Sequence, residues 1–350
     1  MGSKAPCAMA LQGFTPGSCA VRLPGGSTGL ACQSTLRKEG DLWYRLVHSV
    51  HLSRPEDYLS VYQSGCNHDC LKCHSWRFTQ NFDGYWVSAE GLAEMAADYE
   101  SSVTVWEPKE RATMWHATDL CRHCGSCFLA GVRGRLCPRK LSLDQIIYSP
   151  QGFGPARNIV SFTGGDLACR PEFYAQAAEK IKDACSNRMW ILLETNGYGL
   201  TPKNLEALAE GGVDAFWLDI KAYDGEVYRR LCGAPNDWIL EAPERIVDKG
   251  FVLEVSTLFI PGWVETDQIA RIAGLLAGVD REIPFTILAF FPEYKLMGAR
   301  PPTMAEMIGA FSAARSEGLK NVKLGNCHVF AKTGEEWEKL ISAVGGSSIG

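Results

Sequence analysis

The stretch GCNHDCLKCH, residues 65–74, decides how this chain is read. It sets Cys66, Cys70 and Cys73 at C-x3-C-x2-C, directly after the alternating run DYLSVYQS of residues 57–64, which predicts a strand over about 57–65. Three thiolates on one short loop can grip three corners of a four-iron cluster and leave the fourth iron without a protein ligand. An open iron is where a small molecule can bind and be reduced. Zinc and chance also produce close cysteine triplets, so the surroundings must arbitrate.

The totals narrow the field. In 350 residues, 46% are hydrophobic and 21% charged, which supports a large core and argues against wholesale disorder. Net charge is -5 with no Lys/Arg-dense run, so no electrostatic footprint for nucleic acid is expected. No window approaches 18 apolar residues, which argues against a membrane span. Residues 1–7, MGSKAPC, carry no charged-then-apolar leader pattern. Of 14 cysteines, seven fall in two tight groups, which is metal usage rather than disulfide stapling. A reducing, oxygen-poor cytoplasm is the expected location.

Upstream of the loop, residues 1–56 read as a small N-terminal extension. Cys7, Cys19 and Cys32 are widely spaced and read as structural or incidental thiols, and DLWYRLVHSVH, residues 41–51, as a strand or hairpin arm. Residues 57–99 start the main domain. Within them 88–99 predict a helix with Ser88 as N-cap and Leu92, Met95, Ala96 and Tyr99 on one face. Residues 100–156 interrupt the pattern with CRHCGSC, residues 121–127, followed by Cys137 and Pro138. Cys121, Cys124 and Cys127 with a later Cys-Pro resemble half of a bacterial ferredoxin, and Cys137 most simply closes the same cluster. Zinc in a closed four-thiolate site is the rival occupant.

Residues 157–350 are a strand–helix alternation. Strands are predicted near 158–163, 189–194, 215–219, 251–260, 284–290 and 321–325. Helices are predicted near 171–185, 203–210, 224–231, 239–249, 266–277, 303–316 and 334–344. Apolar strands with intervening helices mean an α/β fold with a parallel sheet. Six or seven βα units fall short of eight, so the expected architecture is a partial, open (β/α)6 TIM-like barrel carrying an inserted ferredoxin-like segment.

Chemistry in such folds gathers at the C-terminal strand ends. Those ends hold the cysteine loop, then TGGD (163–166), ETNG (194–197), DIK (219–221), STLFIPG (256–262), FPEY (291–294) and GN (325–326). Each has a plain alternative: a Gly-Gly turn, an Asn-Gly turn, an Asp219–Lys221 ion pair. The alternatives weaken jointly, because independent turns would not all fall on one rim.

The order cysteine triplet, Gly-Gly-acid, acid-Thr-Asn-Gly, Asp-x-Lys and Pro-Gly resembles the radical S-adenosylmethionine (SAM) enzymes of the pyruvate formate-lyase activating type and their bacterial and archaeal relatives, over about residues 57–330. The resemblance implies a [4Fe-4S] cluster on Cys66, Cys70 and Cys73 whose open iron is chelated by SAM. It implies reductive cleavage of SAM to a 5′-deoxyadenosyl radical that abstracts hydrogen. Gly164 and Gly165 would offer backbone to the SAM amine; where such enzymes usually have Glu-Pro, this chain has Asp166 and Leu167. Glu194, Thr195, Asn196 and Ser256 would line the cofactor site, and Glu194 and Asp219 would share a monovalent cation. Lys221, with Asp219, would approach the SAM carboxylate or the substrate.

A second [4Fe-4S] cluster on Cys121, Cys124, Cys127 and Cys137 would relay electrons or dock a partner. A protein or peptide substrate and reduced flavodoxin or ferredoxin as donor follow from the same resemblance. A small-molecule substrate or a cobalamin-using radical methyltransferase is the alternative, although no N-terminal cobalamin-binding unit is visible. A non-catalytic iron–sulfur carrier or zinc module is the third reading. The histidines show no H-x3-H pair, which argues against a zinc hydrolase. His68 and His74 flank the loop as supporting or exposed residues, and His328 follows the last rim motif.

Overall fold

The computed structural model describes residues 6–350, and the first five residues of the leader reading lie outside them. A ten-stranded sheet organises the chain. In chain order its strands are β1 (Leu36–Glu39), β2 (Leu42–Leu52), β3 (Leu59–Gln63), β4 (Tyr85–Ser88), β5 (Ile159–Gly164), β6 (Trp190–Thr195), β7 (Ala215–Asp219), β8 (Val252–Phe259), β9 (Phe285–Ala289) and β10 (Val322–Gly325). Their spatial order is β10-β9-β8-β7-β6-β5-β3-β2-β1, with β4 also paired to β2. β3 and β5 to β10 pair in parallel as successive neighbours. β1, β2 and β4 pair antiparallel, and β2 joins β3.

Period-2 alternation divides each strand between two faces. On one face Phe162, Leu193, Phe216, Val255, Ile287 and Leu324 share a large core with helix residues such as Phe173, Leu205 and Ile272. Those helices are Glu172–Ala184, Pro202–Glu210, Gly225–Cys232, Ala242–Asp248, Thr266–Val279, Met304–Ser316 and Gly334–Val344. Their starts follow capping chemistry: Thr201, Asp224, Thr303 and Thr333 each accept from a first-turn backbone N–H.

The N-terminal half of the other face meets residues 112–118. Tyr58, Ile159, Leu192 and Ala215 pack with Ala112, flanked by Met114 and Trp217. Glu254 of β8 accepts from the Trp115 N–H at 2.7 Å. Lys323 of β10 donates to the Trp115 carbonyl at 2.7 Å and to the Thr118 hydroxyl at 2.9 Å. Residues 112–118 are thus stitched across the sheet. Burial pushes the Glu254 carboxyl up to about 7, against the pull of the Trp115 N–H and Thr113 hydroxyl.

The predicted helix at 88–99 is Ala89–Glu100, and the Ser88 hydroxyl accepts from Gly91 N–H at 3.0 Å. The arm expected at 41–51 is β2, an 11-residue strand that pairs with β1, β3 and β4. β4 and two small hairpins, Ala20–Arg22 with Thr28–Leu30 and Ile147–Ser149 with Gly152–Gly154, were not expected. Each segment is only three or four residues long, too short to show a period. Among the described residues no helix is long and apolar enough to cross a membrane.

Candidate functional site

The cysteine loop leaves the C-terminal end of β3 and is clamped from several sides. Arg45, fully buried on β2, donates to the carbonyls of Gly65 and Gly165, each at 2.9 Å. The same guanidinium holds the Thr35 carbonyl at 2.9 Å and Gln63 Oε1 at 3.2 Å. Asn67 N–H donates to the Asp166 carbonyl at 3.0 Å. Asn196 Nδ2 donates to Asn67 Oδ1 at 2.7 Å. Asp69 and Leu71 N–H donate to the carbonyls of Cys232 and Leu231 at the end of Gly225–Cys232, at 3.1 and 2.8 Å.

The two glycines have a visible reason. A Cβ on Gly165 would stand 2.3 Å from the Gly65 carbonyl oxygen, so the cysteine loop fills that space. Gly164 has φ +84° and its Cβ would lie 2.6 Å from the Phe78 ring. The pair therefore seats the loop, whatever else it offers a ligand.

All 14 cysteines are free thiols. Burial first, then Asp166 and Cys70, push the Cys66 thiol up; its sulfur lies 3.9 Å from Asn196 Nδ2. Cys70 is raised by a hydrogen bond with Cys232 and by burial, with Lys221 pulling against both. Cys73 is raised by burial and by Cys70, and its sulfur lies 3.3 Å from the Thr79 hydroxyl. Such thiols keep their protons unless a bound cation replaces them.

The donor set suits an iron–sulfur cluster, because the loop's other candidate ligands are engaged. His68 is buried with Nε2 3.1 Å from the Tyr228 hydroxyl, and burial pulls it down to about 3. Asp69 is paired with Lys295 at 2.8 Å. His74 is exposed, edge-on to Phe291. Among the described residues no three His, Cys, Asp or Glu side chains close around a single metal ion.

Around the loop, Asp166 is committed to structure. Its carboxylate accepts from Ala168 N–H at 2.7 Å, the Thr195 hydroxyl at 2.7 Å and Asn196 N–H at 2.9 Å. This carboxylate ties the ends of β5 and β6 together. Glu194 accepts from Tyr58 at 3.1 Å, Ser161 at 2.9 Å and Thr163 at 2.5 Å. Burial, partly offset by Thr163, pushes its carboxyl up to about 7. Asp219 and Lys221 form an ion pair, while Asp219 Oδ1 is buried without a hydrogen-bond partner. Burial pulls Lys221 down, but Asp219 and Cys70 together hold it above the usual lysine range. Ser256 sits buried on β8 in register with Asp219, and its carbonyl accepts from Ile220 N–H at 2.9 Å.

Cys121, Cys124, Cys127 and Cys137 line one small cavity with Leu120, Ile146 and Phe153. Arg133 Nη1 lies 3.9 Å from the Cys137 sulfur. His123 Nε2 is 2.8 Å from Asp57, fixing this loop to the entrance of β3. A separate cavity of about 340 Å³ is lined by Trp115, Thr286, Leu288, Lys323, Asn326 and the exposed His328, among others. Arg45, Tyr58 and Ser161 escaped sequence reasoning, and Asn67 and Thr163 lay inside quoted motifs without an assigned role. Ser161 and Thr163 alone had a signal, their i, i+2 spacing on the Glu194 side of β5.

The sequence profile of the Radical SAM superfamily matches residues 118–276. That span takes in the second cysteine group and β5 to β8 but stops short of residues 65–74. An uncharacterized protein of Methanocaldococcus jannaschii is 32% identical over 145 residues, 41% of this chain and 42% of that protein. The chain thus aligns with under half of that relative's length. The pyruvate formate-lyase 1-activating enzyme of Escherichia coli K12 is 26% identical over 168 residues, 43% of this chain and 68% of that enzyme. The crystal structure of a domain of pyruvate-formate lyase-activating enzyme from Bacteroides vulgatus aligns with 48% of this chain and 98% of that domain, at 18% identity and a TM-score of 0.41.

Proposed function

We infer, from the premise that this chain carries a radical SAM domain and is an enzyme, that it reductively cleaves SAM at a [4Fe-4S] cluster on Cys66, Cys70 and Cys73 and acts on a protein or peptide. The observation that carries this is the seating of the cysteine loop on the rim: Gly65 fills the space beside Gly165, and Asn67 is bonded to both Asp166 and Asn196. The profile match takes in the other cysteine group, but only the 66–73 loop is held against the Gly-Gly and Thr-Asn motifs.

The cluster and SAM, when bound, supply the one-electron chemistry. The chain's part is placement. Arg45 and Asn67 hold the loop on the rim. Asp166 fixes the turns after β5 and β6. Glu194, a carboxyl poised near neutral pH, and the unpartnered Asp219 Oδ1 offer acceptors to a ligand amine, hydroxyl or monovalent cation. Lys221 offers a positive charge to a carboxylate. Cys121, Cys124, Cys127 and Cys137 are assigned a second, closed [4Fe-4S] cluster on a ferredoxin-like insertion at 100–156, with zinc as its rival. The rest is read as an N-terminal extension at 1–56 and an open partial barrel over 57–99 and 157–350. Reduced flavodoxin or ferredoxin in a reducing cytoplasm is the proposed electron source.

The test is anaerobic reconstitution with dithionite and SAM, with 5′-deoxyadenosine as readout. Release that requires residues 66, 70 and 73 and rises with a protein partner supports the reading. Loss on removing residues 121, 124 and 127 but not on removing 66, 70 and 73 overturns it. The 340 Å³ cavity favours one alternative, a small-molecule substrate, which predicts release stimulated by a metabolite extract freed of protein.

A further inference from the structure

Four of the seven cysteines outside both groups come from three stretches of chain: Cys7, then Cys19 with Cys32, then Cys169. The hairpin of Ala20–Arg22 with Thr28–Leu30 folds the second stretch so that Ala20 pairs with Leu30 and Ala31 N–H donates to the Cys19 carbonyl at 2.6 Å. That brings Cys19 beside Cys32. After Cys7 the chain turns, and Gln12 meets Asn204 at 3.2 Å and the Thr201 hydroxyl at 2.7 Å. Asn204 in turn donates to the Ala168 carbonyl at 3.5 Å, setting the first stretch against the one that carries Cys169.

All four side chains border the same core, and all four are free thiols. They also lie within electrostatic reach of one another. Cys19 is raised to about 12, by burial first and then by Cys32 and Cys7. Cys169 is raised by burial and by Cys19, Cys32 and Cys7 among others. Burial raises Cys32, while Arg170 and Arg45 pull against it. Those guanidiniums are the counter-charge that a four-thiolate centre needs. Cysteine serves as a small apolar filler in many cores. Packing alone, however, does not require four thiols from three stretches to border one core within electrostatic reach of one another.

We propose that Cys7, Cys19, Cys32 and Cys169 are the ligands of a further iron–sulfur cluster, with a protein thiolate on every iron. These thiols do not close around one ion. A four-iron body spreads its ligands more widely than a single zinc does, and four cysteines are its usual complement. With no open iron, this centre holds and passes electrons and binds no SAM. The Cys19 sulfur lies 4.0 Å from the carbonyl of Asn67, the residue after Cys66, so its electrons would be held close to the first loop. That last role rests on the function proposed above; the site itself does not.

The experiment counts iron and acid-labile sulfide in the full chain after anaerobic reconstitution. A seven-alanine variant at residues 66, 70, 73, 121, 124, 127 and 137 is compared with the same variant also carrying Cys19→Ser and Cys169→Ser. About four irons and four sulfides are expected in the first and none in the second. In the otherwise wild-type chain, Cys19→Ser with Cys169→Ser should lower the iron count by about four, which answers the same question if the seven-alanine chain fails to fold. An iron count unmoved by the serine pair, or zinc in place of iron, overturns the proposal. SAM cleavage plays no part in the count, so failure of the catalytic reading and failure of this site are separately visible.

Discussion

The two cysteine loops differ in how they are held. Residues 65–74 are bolted from several sides, by a buried guanidinium that bridges the carbonyls of Gly65 and Gly165, by an Asn–Asn bond and by the end of a helix. Residues 121–137 form the wall of a small cavity, contain the exposed Cys124, and are anchored at His123 to Asp57. The first loop supplies three thiols and the second four. On the function proposed above, the first site leaves one metal corner open and the second is closed by four thiolates, so the first depends more on the protein for its position.

The largest effect should come from alanine at Cys66, Cys70 and Cys73. SAM cleavage should fall below detection, by at least about a hundredfold, as expected when the thiols proposed to hold the SAM-binding cluster are lost. Alanines at Cys121, Cys124 and Cys127 should lower iron content and leave dithionite-driven cleavage measurable. Equal loss from both sets would erase the contrast.

Next is Arg45→Met. It strands the carbonyls of Gly65 and Gly165 in the core, while Leu46 N–H still holds that of Thr35, and should cost on the order of 3–5 kcal/mol in denaturant unfolding. An unchanged midpoint would show that the clamp is not what holds the loop.

Glu254→Gln probes how the segment around Trp115 grips the sheet. A carboxyl raised from 4.5 to about 7 binds its proton more tightly folded than unfolded. Stability therefore falls as pH rises from about 4.5 to about 7, by on the order of 3 kcal/mol for this group. The variant should lose that contribution, while Glu194, pushed up to about the same value, keeps one of similar size, as read from unfolding midpoints across pH.

Gly165→Ala places a methyl 2.3 Å from the Gly65 carbonyl oxygen and should cost about 1–3 kcal/mol, with faster loss of iron from the first site. Smallest is His123→Ala, which frees the second loop from Asp57 and should cost roughly 1 kcal/mol while leaving the first site untouched. A cost exceeding that of Arg45→Met would reverse the ranking of the two loops.

Much of the frame was legible from the chain. The strand–helix alternation after residue 157 appears within a residue or two of its expected bounds, except that the helix predicted from 239 starts at Ala242. Apolar periodicity and capping residues are local properties and survive tertiary packing. The rim motifs do cluster at strand ends. Their roles were less legible: Asp166 is spent on joining two loops, and Gly165 makes room for Gly65 rather than only for a ligand.

By itself, then, the amino-acid order determined the parallel α/β frame, the three-thiol loop and the strand ends on which chemistry would sit, because each is written in spacings of a few residues. Only the tertiary structure decided that Arg45 clamps a glycine 120 positions away. It also decided that Glu194 gathers Tyr58, Ser161 and Thr163, and that Cys7, Cys19 and Cys32 come within electrostatic reach of Cys169. Contacts across such separations leave no local pattern. They exist once the sheet has stacked its strands in order and brought distant side chains to one end of it.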